Sequence, residues 1–255
     1  MTQVGAYFQC YKNPVATFYS LYNFRNSYPN STIVLLSDNG YNYTEMATYF
    51  NAIYIHSNIS LPPSTRNILE YKKYKNRFYE ALLLIKEDYF IILEDDVFVK
   101  KPYTDEFLGT INGNCVNKII DTININNFNN FNNFNNFNNI NNINNINISE
   151  QYYTGHGGSV YNKNHILDIL RPQNNSFNLL IDNWTTIMLN GSILDHDLFF
   201  SLLVIINGKT IYNLNQHKDG INYINDTNVN VIHQYKKWYN ASIDDYDNIK
   251  ALVQL

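Results

Sequence analysis

Strand-like and helix-like segments alternate over the first part of the chain, and this alternation constrains the fold more than any other feature of the sequence. Apolar runs typical of buried strands lie at residues 4–10, 32–37, 52–56 and 89–93. Helical patterns lie between them, at residues 15–28, 44–50 and 66–87. Because strands joined by helices pair in parallel, this order predicts an α/β fold with a mostly parallel central sheet and helices on both faces.

The pattern resumes after residue 150. Residues 152–161 are predicted to form a strand, a glycine turn and a second strand, and residues 164–171 a short helix. A helix over 195–206, a strand over 209–214 and a last short strand that leads into His233 complete the chain. No second set of core-forming segments is evident, so we expect a single domain over residues 1–255.

Residues 125–147 interrupt this pattern with an Asn-rich, low-complexity insert. Asn-Asn-Phe and Asn-Asn-Ile repeat there every three residues, a spacing that matches neither the helix period of about 3.6 nor the strand period of about 2. We therefore expect that the apolar side chains of the insert share no packed face. A repeat-expanded loop without order and a lid or partner-binding loop over the site are both open.

Charge and hydropathy exclude several classes of protein. The formal net charge of -4 and the pI near 5.8 give no basic excess to neutralise phosphates, so no nucleic-acid partner is expected. No apolar run approaches the roughly 18 residues of a membrane span. The N-terminus lacks the pattern of a signal peptide, which favours a cytoplasmic location. Cys10 and Cys115 form no disulfide framework, and the oligomeric state is left open.

Glu94, Asp95 and Asp96 form a run of three carboxylates directly after the apolar strand at 89–93. Three adjacent negative charges repel one another, and a divalent cation relieves that repulsion. Oxygen ligands suit Mg²⁺ or Mn²⁺, and ligands of open α/β sheets bind beyond the carboxyl ends of the strands. A surface turn is the alternative for such a triplet, but its position after a buried strand favours a metal site.

The segment YFIILEDDVFVKKP resembles the DxD-type metal motif of glycosyltransferases with the GT-A fold. This resemblance implies a Rossmann-like α/β domain that binds Mn²⁺ or Mg²⁺ and a nucleotide-sugar donor, expected to be UDP-linked. It implies further that Asp96 coordinates the metal directly, while Glu94 and Asp95 contact the nucleotide sugar or coordinate through water. The triplet is EDD rather than a strict DxD, which leaves the transferred sugar open.

Two further motifs follow in the order that this family shows. Gly155-His156-Gly157-Gly158-Ser159 resembles the glycine loop that lines the donor sugar. Gly157 and Gly158 would allow close approach of the backbone there, and a plain hairpin turn is the alternative. His233 resembles the C-terminal metal-binding histidine, and Lys236 behind it would contact the nucleotide sugar. A structural role is the commoner one for a lone histidine.

Asp195-His196-Asp197-Leu198 resembles the acidic motif at a helix start whose Asp is the catalytic base of inverting family members. We expect Asp195 to cap the helix. Asp197, inside the first turn, would accept a proton because the helix dipole keeps it ionised. The alternative is that both acids only cap the helix. Because the motif is DHD where Glu-Asp is commoner, inversion or retention of configuration is open.

Four residues of the N-terminal half are candidate contacts of the nucleotide sugar. Phe8 and Gln9 lie near the end of the first strand and Asp38 closes the second, at the edge where the GT-A fold holds the nucleoside. Asp38 would accept hydrogen bonds from the base or ribose, although it also begins an Asp-Asn-Gly turn. Arg77 would face the diphosphate, although solvated helix charges are the commoner outcome.

Together these motifs predict a metal-dependent glycosyltransferase that moves a hexosyl or N-acetylhexosaminyl group to a hydroxyl of a glycan or protein acceptor. A sugar-1-phosphate nucleotidyltransferase shares the architecture, but the segment YKNPVATF after the first strand lacks the glycines of its phosphate loop. A catalytically weak carbohydrate-binding or virion-associated protein is the non-enzymatic alternative. The abundance of residues with AT-rich codons resembles that of proteins from giant DNA viruses such as mimivirus.

Overall fold

A computed structural model describes residues 2–115, 117–124, 126–128, 150–189 and 193–238. Most of the Asn-rich insert, residues 129–149, lies outside the described residues, so the choice between a loop without order and a lid stays a prediction. The alternation of strands and helices in the first part of the chain is confirmed.

The strands are β1 (Val4–Cys10), β2 (Ile33–Asp38), β3 (Ile53–Ser57), β4 (Tyr89–Leu93), β5 (Phe98–Val99), β6 (Ile111–Gly113), β7 (Asn117–Lys118), β8 (Tyr152–Tyr153), β9 (Val160–Asn162), β10 (Ile211–Asn213), β11 (His217–Asp219) and β12 (Val231–His233). The α-helices are α1 (Pro14–Ser27), α2 (Thr44–Tyr49), α3 (Ile68–Leu83), α4 (Lys163–Leu170), α5 (Ser176–Asp182), α6 (Trp184–Ile187) and α7 (His196–Ile206).

Local sequence signals explain where the helices begin. α1 begins with Pro14, whose fixed φ suits the first turn and whose missing N–H has no helical partner there. The Asn67 side chain caps α3 by accepting hydrogen bonds from two backbone N–H groups, so this helix begins later than the predicted residue 66. None of the helices in the described part of the chain combines the length and the apolar character that a bilayer crossing requires.

A seven-stranded sheet in the order β10-β6-β9-β4-β1-β2-β3 forms the centre of the molecule. Strands β1 to β4 run parallel, as do β6 and β10, whereas β9 lies antiparallel to its neighbours β4 and β6. The carboxyl ends of β1, β2 and β4 therefore meet at one edge of the sheet. The predicted α/β fold class with a mostly parallel sheet is confirmed.

Apolar side chains divide between two cores on the two faces of this sheet. In β1, Tyr7 belongs to the core that contains residues of α3 to α7, whereas Ala6 and Phe8 belong to the core that contains residues of α1 and α2. In β2, Leu36 and Leu35 divide in the same way. This division follows from the alternation of side chains along a strand, and it buries both faces as the sequence predicts.

The two strands predicted within residues 152–161 are present, but they do not pair with each other, so the alternative of a plain hairpin is wrong. β8 pairs with β7 in a two-stranded ribbon, while β9 inserts between β4 and β6 of the main sheet. A three-stranded sheet in the order β11-β12-β5 completes the architecture. Strands of two or three residues carry too few side chains for a periodic pattern, so long-range pairing decides their partners.

The first phenylalanine of the insert, Phe128, packs against the folded domain, whereas the expectation that the apolar side chains of the insert share no packed face stays a prediction for the residues that follow. Phe128 is 2% exposed and belongs to the core that contains α3 to α7. Its N–H donates to the Asn124 carbonyl, and the neighbouring Asn127 side chain donates to the Thr186 carbonyl at 2.8 Å. A period of three does not prevent the repeat unit next to the folded domain from entering its core.

Replacing Phe128 by Ala should destabilise the domain by about 3–5 kcal/mol, because truncation of a buried ring removes apolar contacts and leaves a cavity. Urea denaturation measures this change in the free energy of unfolding. Asn126→Ala, at an exposed position two residues earlier, is the control and should change it by less than about 0.5 kcal/mol. Equal effects of the two substitutions would show that the Phe128 ring contributes nothing to the core.

Candidate active site

Glu94, Asp96 and His233 bring their side chains together just beyond the carboxyl end of β4; we name them the acidic triad. His233 Nε2 lies 3.3 Å from Glu94 Oε2 and 3.6 Å from Asp96 Oδ1. One ligand atom from each residue lies within 4.8 Å of the others. β12 carries His233 to this position because it pairs antiparallel with β5, which follows the carboxylates in the chain. The donor set, two carboxylates and an imidazole, suits Mn²⁺ or Mg²⁺.

Asp219 orients the histidine of the triad. Its Oδ1 lies 3.1 Å from His233 Nδ1, and its Oδ2 accepts a hydrogen bond from the Asn114 side chain at 2.9 Å. Asp219 and His233 are register partners in the parallel pair β11 and β12. A carboxylate on one ring nitrogen fixes the tautomer that offers the other nitrogen to a metal. Sequence reasoning missed Asp219, because β11 carries no strand pattern of its own.

The triad is electrostatically coupled. Burial opposes a charge on His233, but hydrogen bonds with Asp219 and Glu94 and the charges of Glu94 and Asp96 raise its pKa to about 10. Burial favours the neutral form of Glu94, but the hydrogen bond with His233 and the charges of His233 and His156 together outweigh burial and lower the pKa. Burial also raises the pKa of Asp96, and the charge of Glu94 adds to that effect. A positive charge is therefore required among these side chains.

Two glycines leave the space that these side chains occupy. A Cβ atom on Gly157 would lie 2.7 Å from Glu94 Oε2 and 2.7 Å from His233 Cδ2. Gly158 has a φ of +82°, and a Cβ there would lie 2.7 Å from His217 Nε2. Glycine is thus required at both positions, at one for space and at the other also for its backbone conformation. The contact of these glycines with a donor sugar stays a prediction.

A cavity of about 370 Å³, which we name the first cleft, opens at the ends of β1, β2 and β4. Tyr11, Asp38 and Asp95 line it, together with Glu94 and Asp96 of the triad. The Tyr11 side chain is 49% exposed. Burial and the charge of Asp96 raise the pKa of Asp95 to about 6. The first cleft lies where open α/β sheets bind their ligands, beyond the carboxyl ends of the strands.

The structure corrects the predicted role of Phe8. Its side chain is fully buried in the core that contains α1 and α2 and does not line the first cleft. Tyr7 and Gln9, its neighbours in β1, line the cleft instead. The Gln9 side chain is engaged by Tyr7, Asp38 and the Leu61 carbonyl. Gln9 thus lines the cleft where it was predicted, whereas Phe8 does not, because successive side chains of a strand lie on opposite faces.

Arg77 and Asp38 form a buried ion pair rather than a free pair of ligand contacts. Arg77 Nη1 lies 2.8 Å from Asp38 Oδ1, and the guanidinium also donates to the carbonyls of Ile59 and Leu61. Asp38 accepts a further hydrogen bond from Leu61 N–H at 2.8 Å. The expectation that Arg77 faces a diphosphate is thus corrected: its side chain holds the loop at 59–61. Asp38 still lines the first cleft.

A second cavity of about 320 Å³, which we name the second cleft, lies on the other side of His233. Its lining consists of Asn117, Tyr153, Gly155, Asp195, Asp197, Leu198, Asp219, His233 and Gln234. Because His233 lines this cleft while Glu94 and Asp96 line the first, the acidic triad stands between the two.

Asp195 is the N-cap of α7, as predicted. Its Oδ1 accepts hydrogen bonds from Asp197 N–H at 3.0 Å and Leu198 N–H at 3.4 Å. Asp197 follows in the first turn, but the expectation that the helix dipole keeps it ionised is corrected. Burial raises the pKa of Asp197 well above its usual range, and the charges of Asp195 and Glu94 raise it further. Desolvation thus outweighs the dipole at this position.

Comparison with solved structures identifies the fold, although no model of a protein family and no curated sequence matches the chain. An active-site mutant of LgtC aligns over 98% of this chain and 96% of that chain, with a TM-score of 0.53 and 11% identity. The galactosyltransferase LgtC with donor and acceptor sugar analogues aligns over the same shares, with a TM-score of 0.51 and 12% identity. The chain has the GT-A fold.

Within this GT-A fold, two histidines that the sequence prediction left without a role connect the glycine loop to α7. The ring centroids of His156 and His196 lie 3.4 Å apart, and the His196 ring stacks on Phe200 at 4.0 Å. His156 Nδ1 lies 2.7 Å from the Tyr161 hydroxyl, and His196 Nδ1 lies 2.8 Å from that of Tyr74. The sequence signal that could have found them is their position, since His156 lies inside the glycine-loop motif and His196 inside the acidic motif at the start of α7.

Lys236 lies in the 3₁₀-helix Lys236–Trp238, directly after the histidine of the triad. Its charge favours the ionised form of Asp96, although burial of that carboxyl has the larger effect on the pKa. The preceding Tyr235 N–H donates to the Asp96 carbonyl at 2.8 Å. Lys236 is thus placed on the Asp96 side of the triad, and its contact with a nucleotide sugar stays a prediction.

Gly157→Ala should weaken Mn²⁺ binding by about 10-fold or more, since the added methyl group displaces Glu94 or His233 from the triad. Gly155→Ala is the matched control, because its Cβ would meet nothing nearer than His233 Nδ1 at 3.6 Å. Titration followed by the electron paramagnetic resonance of free Mn²⁺ measures the affinity. The same affinity for both variants would show that Gly157 is not needed for the triad geometry.

Proposed function

We propose that this protein is a metal-dependent glycosyltransferase, which moves a sugar from a nucleotide-diphosphate donor, UDP-linked, to a hydroxyl of a glycan or protein acceptor. The observation that carries this proposal is the position of the acidic triad between two clefts. Asp96 and Glu94 face one cleft and His233 lines the other. These residues would hold a divalent metal where a donor in the first cleft and an acceptor in the second cleft could both reach it.

The first cleft supplies the groups that a nucleotide donor requires. Tyr11 presents a half-exposed aromatic ring on which a base would stack. Asp95 offers a carboxylate that accepts hydrogen bonds from ribose hydroxyls. Glu94, Asp96 and His233 would hold the divalent ion, and Lys236 would add positive charge beside the diphosphate. The ion neutralises the charge that develops on the leaving diphosphate.

The second cleft supplies a proton acceptor. Asp197 lines this cleft, and burial raises the pKa of its carboxyl well above the usual range. A base of this kind takes the proton of an acceptor hydroxyl more effectively than an ordinary aspartate does. Asp195, whose carboxylate is occupied by the helix cap, would position Asp197 rather than react.

Finer properties of this proposal come from the sequence resemblance. They are the UDP donor, the choice of Mn²⁺ or Mg²⁺, the hexosyl or N-acetylhexosaminyl group, the cytoplasmic location and the giant-virus origin. One of the two LgtC structures is a galactosyltransferase complex with donor and acceptor sugar analogues, which supports sugar transfer as the class of reaction. Because the identities to LgtC are 11% and 12%, chemical roles are assigned from the residues of this chain and not by transfer from LgtC.

Screening UDP-sugars and GDP-sugars should reveal hydrolysis that requires Mn²⁺ or Mg²⁺ and stops when a chelator is added. Asp96→Asn and Glu94→Gln should lower this hydrolysis by about 100-fold or more, because each removes a charged metal ligand. Glu106→Gln, at an exposed position, is the control and should leave it unchanged. UDP should raise the melting temperature only with the metal present. Equal UDP affinity with and without chelator would refute metal-dependent donor binding.

Asp197→Asn should lower transfer to an acceptor by about 100-fold or more while leaving binding of UDP and metal nearly intact, because the amide cannot accept the proton. Asp195→Asn should have a much smaller effect, since asparagine caps a helix almost as well as aspartate. The initial rate of transfer and the thermal shift with UDP and Mn²⁺ are measured for both. An inactive Asp195→Asn beside an active Asp197→Asn would reverse the roles. Full transfer by both would favour a retaining mechanism.

A further inference from the structure

The second cleft is strongly acidic. Asp195, Asp197 and Asp219 line it, and no lysine or arginine among the described residues does so. With a proton on Asp197, two carboxylates still carry negative charge. Among the described residues of the lining, His233 can carry a positive charge. Its ring lies against Glu94, Asp96 and Asp219, which are themselves acidic. A ligand with a phosphate or carboxylate group requires a positively charged site, whereas the lining of this cleft is acidic.

The ribbon of β7 and β8 forms the wall opposite these carboxylates. Asn117 pairs with Tyr153 and Lys118 pairs with Tyr152 in its register. Asn117 and Tyr153 line the second cleft, whereas the Lys118 ammonium group lies over the Tyr152 ring, 5.9 Å from its centroid. Because side chains alternate along a strand, the ribbon presents an amide and an aromatic ring to the cleft and its lysine to the other face.

These walls match a sugar that carries hydroxyl groups and no negative charge. Carboxylates accept hydrogen bonds from hydroxyls and from ammonium groups, and they have no proton to donate to an anion. The flat ring of Tyr153 offers an apolar surface to the C–H face of a pyranose. An anionic group in this cavity would lose hydration next to three carboxyl side chains, and no lysine or arginine of the described lining would compensate for that loss.

We infer that the second cleft selects an acceptor sugar that is neutral or bears an amino group, and that it excludes acidic sugars such as uronic acids and sugar sulfates. This inference rests on the proposed glycosyltransferase function and adds the chemical class of the acceptor. Asp195, Asp197 and Asp219 repel an anionic sugar. Lys118 of the β7–β8 ribbon, which could bind an anion, points away from the cleft.

The test uses pairs of acceptors that differ only in the charge at one position. Octyl glucoside is compared with octyl glucuronide, and octyl galactoside with octyl galacturonide, using the donor that the metal-dependent hydrolysis screen selects. The protein should transfer to the neutral member of a pair at least about 10-fold faster. Where neither member receives sugar, their inhibition of donor hydrolysis is compared, and the neutral member should inhibit at the lower concentration.

Asn117→Lys adds a cation to the wall of the second cleft, so it should raise the ratio of anionic to neutral use by about 10-fold. Asn117→Gln changes the side-chain length without charge and should leave that ratio where it is. Asn26→Lys, at an exposed position near the end of α1, adds the same charge at the opposite edge of the sheet. It controls for net charge and should also leave the ratio unchanged.

The outcomes separate the inference from the function on which it rests. The protein could hydrolyse the donor in a metal-dependent way and yet use both members of each pair equally, or neither member could receive sugar or inhibit hydrolysis. Either result would overturn the acceptor inference and leave the proposed function standing. An unchanged ratio in Asn117→Lys would also overturn it. Absence of hydrolysis with every nucleotide sugar would overturn the proposed function itself. A neutral preference that Asn117→Lys alone reduces would support both.

Discussion

The close packing of Glu94 and Asp96 just beyond β4 is the constraint on which the rest of the site depends. Two partly enclosed carboxylates two positions apart raise each other's free energy when both are ionised, so a positive charge between them stabilises the pair. His233 occupies that place, with Nε2 within 3.6 Å of both. The three-stranded sheet and Asp219 bring it there, and Gly157 leaves the room that it needs.

The main sheet places binding surfaces on both sides of this cluster. Parallel pairing of β1, β2 and β4 brings their carboxyl ends to one edge, where the first cleft opens. β9 inserts beside β4 in the opposite direction, so the glycine loop that precedes β9 crosses the same edge next to the triad. That loop also contacts the start of α7 through His156 and His196. The second cleft is thus fixed relative to the first by packed side chains.

Local patterns predicted what depends on local sequence, and long-range pairing decided the rest. The order of strands and helices was predictable from periodicity, and the Asp195 cap from capping chemistry. The acidic triplet was predictable as a site because it directly follows an apolar strand. Phe8 was assigned to the wrong face because periodicity does not say which side of a fully apolar strand faces the ligand edge. Asp219 was missed because its role comes from the pairing of β11 with β12, which no local signal encodes. The ionisation of Asp197 depends on burial, which only the tertiary structure shows.

Arg77 was predicted to contact the ligand directly, but together with Asp38 it acts indirectly, by holding the backbone that shapes the cleft. A buried guanidinium and carboxylate are costly unless each finds several partners. Here the pair meets that requirement through the backbone of Ile59 and Leu61, which fixes the loop that leads to Ser60, Pro62 and Pro63. Those three residues line the first cleft. The charges of this pair therefore shape the wall of the cleft. In the proposed function, the positive charge beside a diphosphate would come from a metal held by the triad and from Lys236.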